Sequence, residues 1–237
     1  MKDEDFYEKV KDVVIFKNLA GEYKPVQEYF GEEVTDEDAQ KGVQPKAVNY
    51  VSDQAQQAHY VELFKNAGQD AVICDEFIDP HFISFIEYKN YRKCRFMRID
   101  ADIAGALMGD AAAEESQKAV QEIFEKHLSQ KGVAIKAQSL KNQDTLAVIT
   151  VEEFARRMSE MGGFYGVDEA DGLKNATLVV NVNSPVIAAL PAVSAEKQEA
   201  VVFQAYYLAL LSHKKLTKEE MSDFMQKSCV LLQEYTK

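Results

Sequence analysis

The residues able to do chemistry in this chain are few and widely spaced. Four histidines (His59, His81, His127, His213) and three cysteines (Cys74, Cys94, Cys229) are the candidate ligands and nucleophiles. A helix-borne zinc site sets two ligands one turn apart, and a zinc knuckle pairs cysteines across two residues. Neither spacing occurs here. His59 and His127 fall inside amphipathic stretches, His81 follows Pro80 in a helix first turn, and His213 lies near a helix C-terminus, where a cation is favoured. No GxSxG elbow and no Walker lysine loop is present. Asp75, Glu76 and Asp79 form a close acidic group that a general base would need. Their position at a helix start suits plain N-terminal charge better. No catalytic, cofactor-binding or metal-binding residue is assigned.

One stretch has a composition suited to binding. "VEEFARRMSEMGGFY" predicts a helix over 151–161, with Phe154, Met158 and Met161 on one stripe. Arg156 and Arg157 lie toward the other side, and Phe164 and Tyr165 follow in a glycine-rich loop. Methionine is flexible and polarizable, which suits a surface that accepts varied partners. Apolar stripes at this spacing are more often core, so packing on its own sheet is the competing reading.

Two groups of elements must position these residues. Over 47–102, strands alternate with helices: "AVNYV", a helix with Ala55, Ala58, Val61 and Phe64, Gly68, "AVIC", a helix opening at Asp79–Pro80, and "CRFMRID". That order predicts an α/β region, a three-layer αβα arrangement around a small, mostly parallel sheet. "VVIFK" reads as a further strand, and "GEYKPVQEYF" as a turn and short helix. A βα turn that binds phosphate exposes bare glycine backbone at a helix N-terminus. Here the turn is Ser52-Asp53-Gln54, without glycine and with a negative charge in the phosphate position. A structural βαβ unit, with Asp53 and Gln56 as a capping box, is the better reading.

"AGALMGDAAAEES" reads as a linker, and an α+β region follows. Val120, Ile123, Phe124, His127 and Leu128 mark an amphipathic helix. "VAIKAQSL" and "TLAVITV" are predicted to pair across the turn "KNQD", and "ATLVVNVNSP" is a further strand. The chain closes on an αα-hairpin. Its first helix is apolar almost all round. Its second opens on the capping box Thr217/Glu220 and carries Met221, Phe224, Met225, Ser228, Leu232 and Tyr235 on one stripe. A hairpin with two apolar faces can dock on its own domain or on a twin, where it would form a four-helix bundle.

The net charge of −12 argues against nucleic acid as a partner, and acidic residues outnumber basic ones on both sides of residue 106. No apolar run reaches membrane-spanning length, and "MKDEDFYEKV" has no signal core. Three separated cysteines suggest no disulfide framework, so a reducing, cytoplasmic setting is expected.

"VNYVSDQAQQAHYVELFKNAGQDAVICDEFIDPHFISFIE", followed by "CRFMRIDAD" and preceded by "MKDEDFYEKVKDVVIFKNLAGEY", resembles the bacterial members of the heat-shock protein 90 chaperone family. The match is ordered across roughly residues 1–103; residues 107–237 are similar mainly in their order of elements. The resemblance implies a homodimeric, ATP-driven chaperone that binds non-native protein. It assigns 1–106 to the C-terminal αβα part of the middle domain and 107–237 to the dimerisation domain. ATP and magnesium would belong to an N-terminal domain outside this sequence, so this piece is expected to be no enzyme and to hold no cofactor. Helices 195–213 and 217–235 match the family's dimerisation pair, with Val201, Ala205, Leu208, Leu211, Met221, Phe224, Met225, Leu232 and Tyr235 as contact candidates. Helix 151–161 matches the family's client-facing helix, with Phe154, Met158, Met161, Phe164 and Tyr165 as candidates. It departs from that match at Gly162-Gly163 and in its longer loop. The alternative is a free-standing, doubly wound nucleotide-binding module or enzyme.

Overall fold

A computed structural model of the chain describes residues 4–30, 41, 47–89, 94–101, 107–110, 112–153, 157 and 176–234. It is a mixed α/β structure of two compact units, Met1–Ile99 and Asp100–Lys237.

The first unit is built on five strands: β1 (Ile15–Asn18), β2 (Tyr23–Pro25), β3 (Ala47–Val51), β4 (Val72–Ile73) and β5 (Arg95–Arg98). Their order is β2-β1-β4-β3-β5. β3 pairs in parallel with both β4 and β5, while β1 runs antiparallel to β2 and β4. The sheet is therefore mixed, not mostly parallel as the alternation of elements predicts. Part of this is local: Gly21, at φ 84°, closes a tight turn, and "YKP" folds back as a strand before the short helix α2 (Val26–Phe30); the antiparallel β1–β4 pairing joins distant segments.

Helix α1 (Glu4–Val10) packs Tyr7 edge-on against Phe85 at 5.2 Å. Helix α3 (Ala58–Asn66) buries Tyr60, Leu63 and Phe64 and ends at Gly68, whose φ of 67° suits a residue without Cβ. Helix α4 (Asp79–Tyr88) buries Ile83 and Ile86. These join Phe16, Val26, Phe30, Val48, Tyr50, Val72, Cys74 and Phe96 in one apolar cluster. Val48 and Tyr50 share that cluster because alternate strand residues face the same side.

The second unit holds α5 (Glu114–Leu128) and strands β6 (Ala134–Gln138), β7 (Ala147–Val151) and β8 (Ala176–Asn181). Beyond β8 lie a short helix α6 (Pro185–Ala188) and the hairpin α7 (Ala195–His213) and α8 (Lys218–Glu234). β6 and β7 do not pair with each other, contrary to the hairpin expected across "KNQD". β8 lies between them, parallel to β6 and antiparallel to β7. The reason is apolarity: five of six β8 residues are buried, whereas β6 is largely open and takes an edge.

Asn181, fully buried, secures that insertion. Its Nδ2 donates to the carbonyls of Asn142 at 2.8 Å and Thr145 at 2.7 Å. Its Oδ1 accepts from the N–H of Leu140 at 2.9 Å and Asn183 at 3.0 Å. The turn predicted to make a hairpin thus wraps the end of β8. Buried polar groups left unpaired are costly, so Asn181→Ala is expected to lower unfolding free energy by roughly 2–4 kcal/mol. Urea unfolding of the second unit measures this.

Candidate functional site

The βα turn after β3 is the first place to look for a ligand. Its backbone N–H groups are already taken. Those of Ser52 and Asp53 donate to Gln57 Oε1 at 2.9 and 3.1 Å. Those of Ala55 and Gln56 donate to Asp53 Oδ1 at 3.0 and 2.9 Å. Gln57, not Gln56, closes the reciprocal cap, because α3 begins one turn later than the sequence suggests. Gln54 bridges to Asp75 at 2.7 Å. A phosphate would have to displace these bonds and approach Asp53, which removes support from a nucleotide site here.

The other reactive groups are dispersed. Burial pushes the Cys74 and Cys94 thiols up to about 12, far from thiolate chemistry at neutral pH. Burial holds His59 below its ordinary value. His213, at the end of α7, lies with Nδ1 3.6 Å from buried Asp100. Asp79 sits inside α4, not at its cap, and accepts from the Glu76 N–H at 3.0 Å. Among the described residues no three His, Cys, Asp or Glu side chains gather to hold a metal ion, and no helix is long and apolar enough to cross a membrane.

Phe154, Met158, Met161, Phe164 and Tyr165 lie outside the described residues, as does Tyr235. The strand β7 extends through Val151, where the sequence places a helix start. Glu153 and Arg157 are helical and joined by a 2.6 Å ion pair one turn apart.

The C-terminal hairpin keeps several apolar side chains at its surface. α7 buries Val202, Ala205, Tyr206, Tyr207, Ala209 and Leu210 on the sheet and α5. That leaves Val201 and Leu211 half-buried and Leu208 42% exposed. α8 differs. Among its described side chains none is fully buried. Phe224 is half-buried and packs on Tyr207 at 5.7 Å, while Met221, Met225 and Leu232 are 42%, 56% and 65% exposed. So Ala205 is sealed within its own unit, and Leu208, Met221, Met225 and Leu232 remain at the surface.

Polar contacts seat α8. Thr217 N–H donates to Glu220 Oε2 at 2.8 Å and Glu220 N–H to Thr217 Oγ1 at 3.2 Å, the capping box expected from the sequence. Lys214 pairs with Glu220 at 2.9 Å, and Ser228 donates to Gln204 at 3.1 Å. Tyr207 donates its hydroxyl to Asp223 and accepts from Lys131 Nζ at 3.2 Å. Lys227 lies 3.8 Å from the Phe203 ring centre and 4.0 Å from Asp223. Lys131, Tyr207, Asp223, Lys214 and Lys227 were missed by periodicity, which registers apolar stripes and not tertiary polar contacts.

Burial opposes ionisation of Asp223, but the Tyr207 hydrogen bond and the charges of Lys227 and Lys131 outweigh it and hold the carboxyl below its usual 3.8. For Glu220 burial is likewise outweighed, by the Thr217 N–H and by Lys214, and the group lies below 4.5. Burial pushes Tyr207 upward, helped by its bond to Asp223.

Carboxyls lowered by folding bind protons less tightly in the folded state. Their stabilisation is complete above the ordinary values and is lost as pH falls through the lowered ones. Amide exchange in α8, corrected for intrinsic rates, is expected to hold steady from about pH 7 to 5 and to quicken below about pH 4. Asp223→Asn should flatten part of that acid limb.

No family model matches the chain. The chaperone protein HtpG of Bacteroides fragilis strain YCH46 is 27% identical over 184 residues, covering 70% of this chain. HtpG of Bacteroides thetaiotaomicron is 26% identical over the same length. HtpG of Porphyromonas gingivalis ATCC 33277 is 28% identical over 205 residues, covering 79% of this chain. The chain spans about a quarter of the length of these curated relatives, 26% or 28%. The resemblance carried by residues 1–103 is borne out and reaches beyond them: this chain is similar to the bacterial HtpG chaperones of the heat-shock protein 90 family.

Proposed function

We propose that this chain works as part of an ATP-dependent molecular chaperone, supplying homodimerisation and part of the surface that holds non-native protein. The observation that carries the reading is the hairpin. Leu208, Met221, Met225 and Leu232 stay exposed on two helices, one of which has no fully buried described side chain. Two such hairpins can bury these residues in a four-helix bundle. Val201, Leu211 and Phe224 are half-buried neighbours that would border that contact.

In this reading residues 1–106 form the αβα end of a middle domain. Tyr60, Leu63 and Phe64 of α3 are buried apart from the cluster that α2 and α4 join, which supports helices on two faces of the sheet. Residues 107–237 form the dimerisation domain. ATP and magnesium belong to another part of the parent protein, so no residue here is given a catalytic role. The protein works in the cytoplasm, with polypeptides as its partners. Clients meet Phe154, Met158, Met161, Phe164 and Tyr165; Arg157, paired with Glu153, fits the polar side of that helix.

Sedimentation velocity at micromolar concentration tests the dimer, and a strict monomer sinks the reading. Met225→Glu with Leu232→Glu, both at exposed positions, is expected to weaken the dimer about a hundredfold or more while leaving circular dichroism unchanged. For client contact, Phe154→Ser with Met158→Ser should raise the concentration needed for half-suppression of client aggregation about threefold or more. Undiminished suppression would assign that stripe to the core.

A further inference from the structure

Helix α8 has no fully buried described side chain, yet it is seated in a defined position. Phe224 of α8 packs its ring on Tyr207 of α7 at 5.7 Å. Lys131 reaches α8 from beyond the hairpin. It stands in the turn after α5, where its N–H donates to Leu128 at 2.8 Å and Gly132, at φ 67°, ends the helix. That turn belongs to the packed body, because Phe124, Leu128 and Val133 share a core with β7, β8 and α7.

From this anchor Lys131 Nζ reaches the Tyr207 hydroxyl at 3.2 Å and Asp223 of α8 at 3.5 Å. It also lies 5.4, 5.9 and 5.9 Å from the ring centres of Tyr207, Tyr206 and Phe203. A half-buried ammonium over three aromatic rings, bonded to a hydroxyl that is bonded to a carboxylate, is a cooperative arrangement. Its parts come from three places: the turn after α5, α7 and α8. We propose that Lys131 is a positioning residue that latches α8 onto α7, so that α8 keeps its seat through an electrostatic clasp held by the body of the unit. Unlatched, α8 opens as a separate unit while the sheet and α7 stay folded. The latch also sets where Met221, Met225 and Leu232 stand, a consequence that rests on the dimer reading above.

Hydrogen–deuterium exchange on the 237-residue chain tests the latch whether or not the chain dimerises, at a concentration low enough to keep it monomeric. Lys131→Met keeps the aliphatic stem over the rings and removes the charge. Exchange in α8 is expected to quicken about tenfold, discounted for partial exposure, with β7 and β8 unchanged. Lys131→Arg should restore most of the protection, and Lys136→Met on exposed β6 should change nothing. With Asp223→Asn, the double variant should lose less than the two single losses combined, as coupled groups do. Unchanged exchange in α8, additive losses, or equal quickening in β7 and β8 would each overturn the proposal. If the wild-type chain dimerises, Lys131→Met should weaken the dimer about tenfold. A monomeric wild type overturns the dimer reading and leaves the exchange result to decide the latch.

Discussion

Tyr207 is 1% exposed, and its ring cannot be buried unless its hydroxyl finds partners. Those partners come from different elements, the turn after α5 and helix α8: Lys131 donates to it, and it donates to Asp223. The hydroxyl is where the core of the second unit meets α8. The ring packs on Tyr206 at 5.3 Å and on Phe224 at 5.7 Å, so one side chain serves both apolar and polar contact. Within the hairpin, α8 is also held by its capping box, the Lys214–Glu220 pair and the Ser228–Gln204 bond.

The division of labour between the hairpin helices follows from composition. α7 can bury several faces because Val202, Ala205, Tyr206, Tyr207, Ala209 and Leu210 wrap around it. A helix so apolar must be covered on more than one side. The sheet and α5 cover part, and α8 covers another part. α8 itself is acidic in its first turn and amphipathic, so it can shield α7 and still present methionines and leucine outward. A surface of that kind suits contact with a second copy, since flexible Met side chains adapt to what covers them.

In the first unit, a βαβ shape and a nucleotide site part company at one turn. Right-handed strand–helix–strand geometry needs only alternation of apolar runs and a capped helix. A phosphate needs free N–H groups as well. Here Asp53 and Gln57 take four of them. The same bonds that make the turn rigid occupy its anion-binding capacity.

The sequence alone determined the elements whose signals are local. The Thr217/Glu220 cap, the stripe of α5, the glycine ends at Gly68 and Gly132, and the missing glycine turn after β3 each depend on neighbours within a few residues. Each is found as read. The likeness to heat-shock protein 90 chaperones was legible too, because it lies in residue order. The tertiary structure decided what depends on distant partners. It placed β8 between β6 and β7, because the most buried strand needs ladders on both sides. It set β1 antiparallel to the distant β4, which makes the first sheet mixed. It sealed Ala205 inside while leaving Leu208 and Met225 outside, although all three sit in apolar helical patterns. And it brought Lys131 to Asp223 across 92 positions of chain, a pairing that periodicity does not encode.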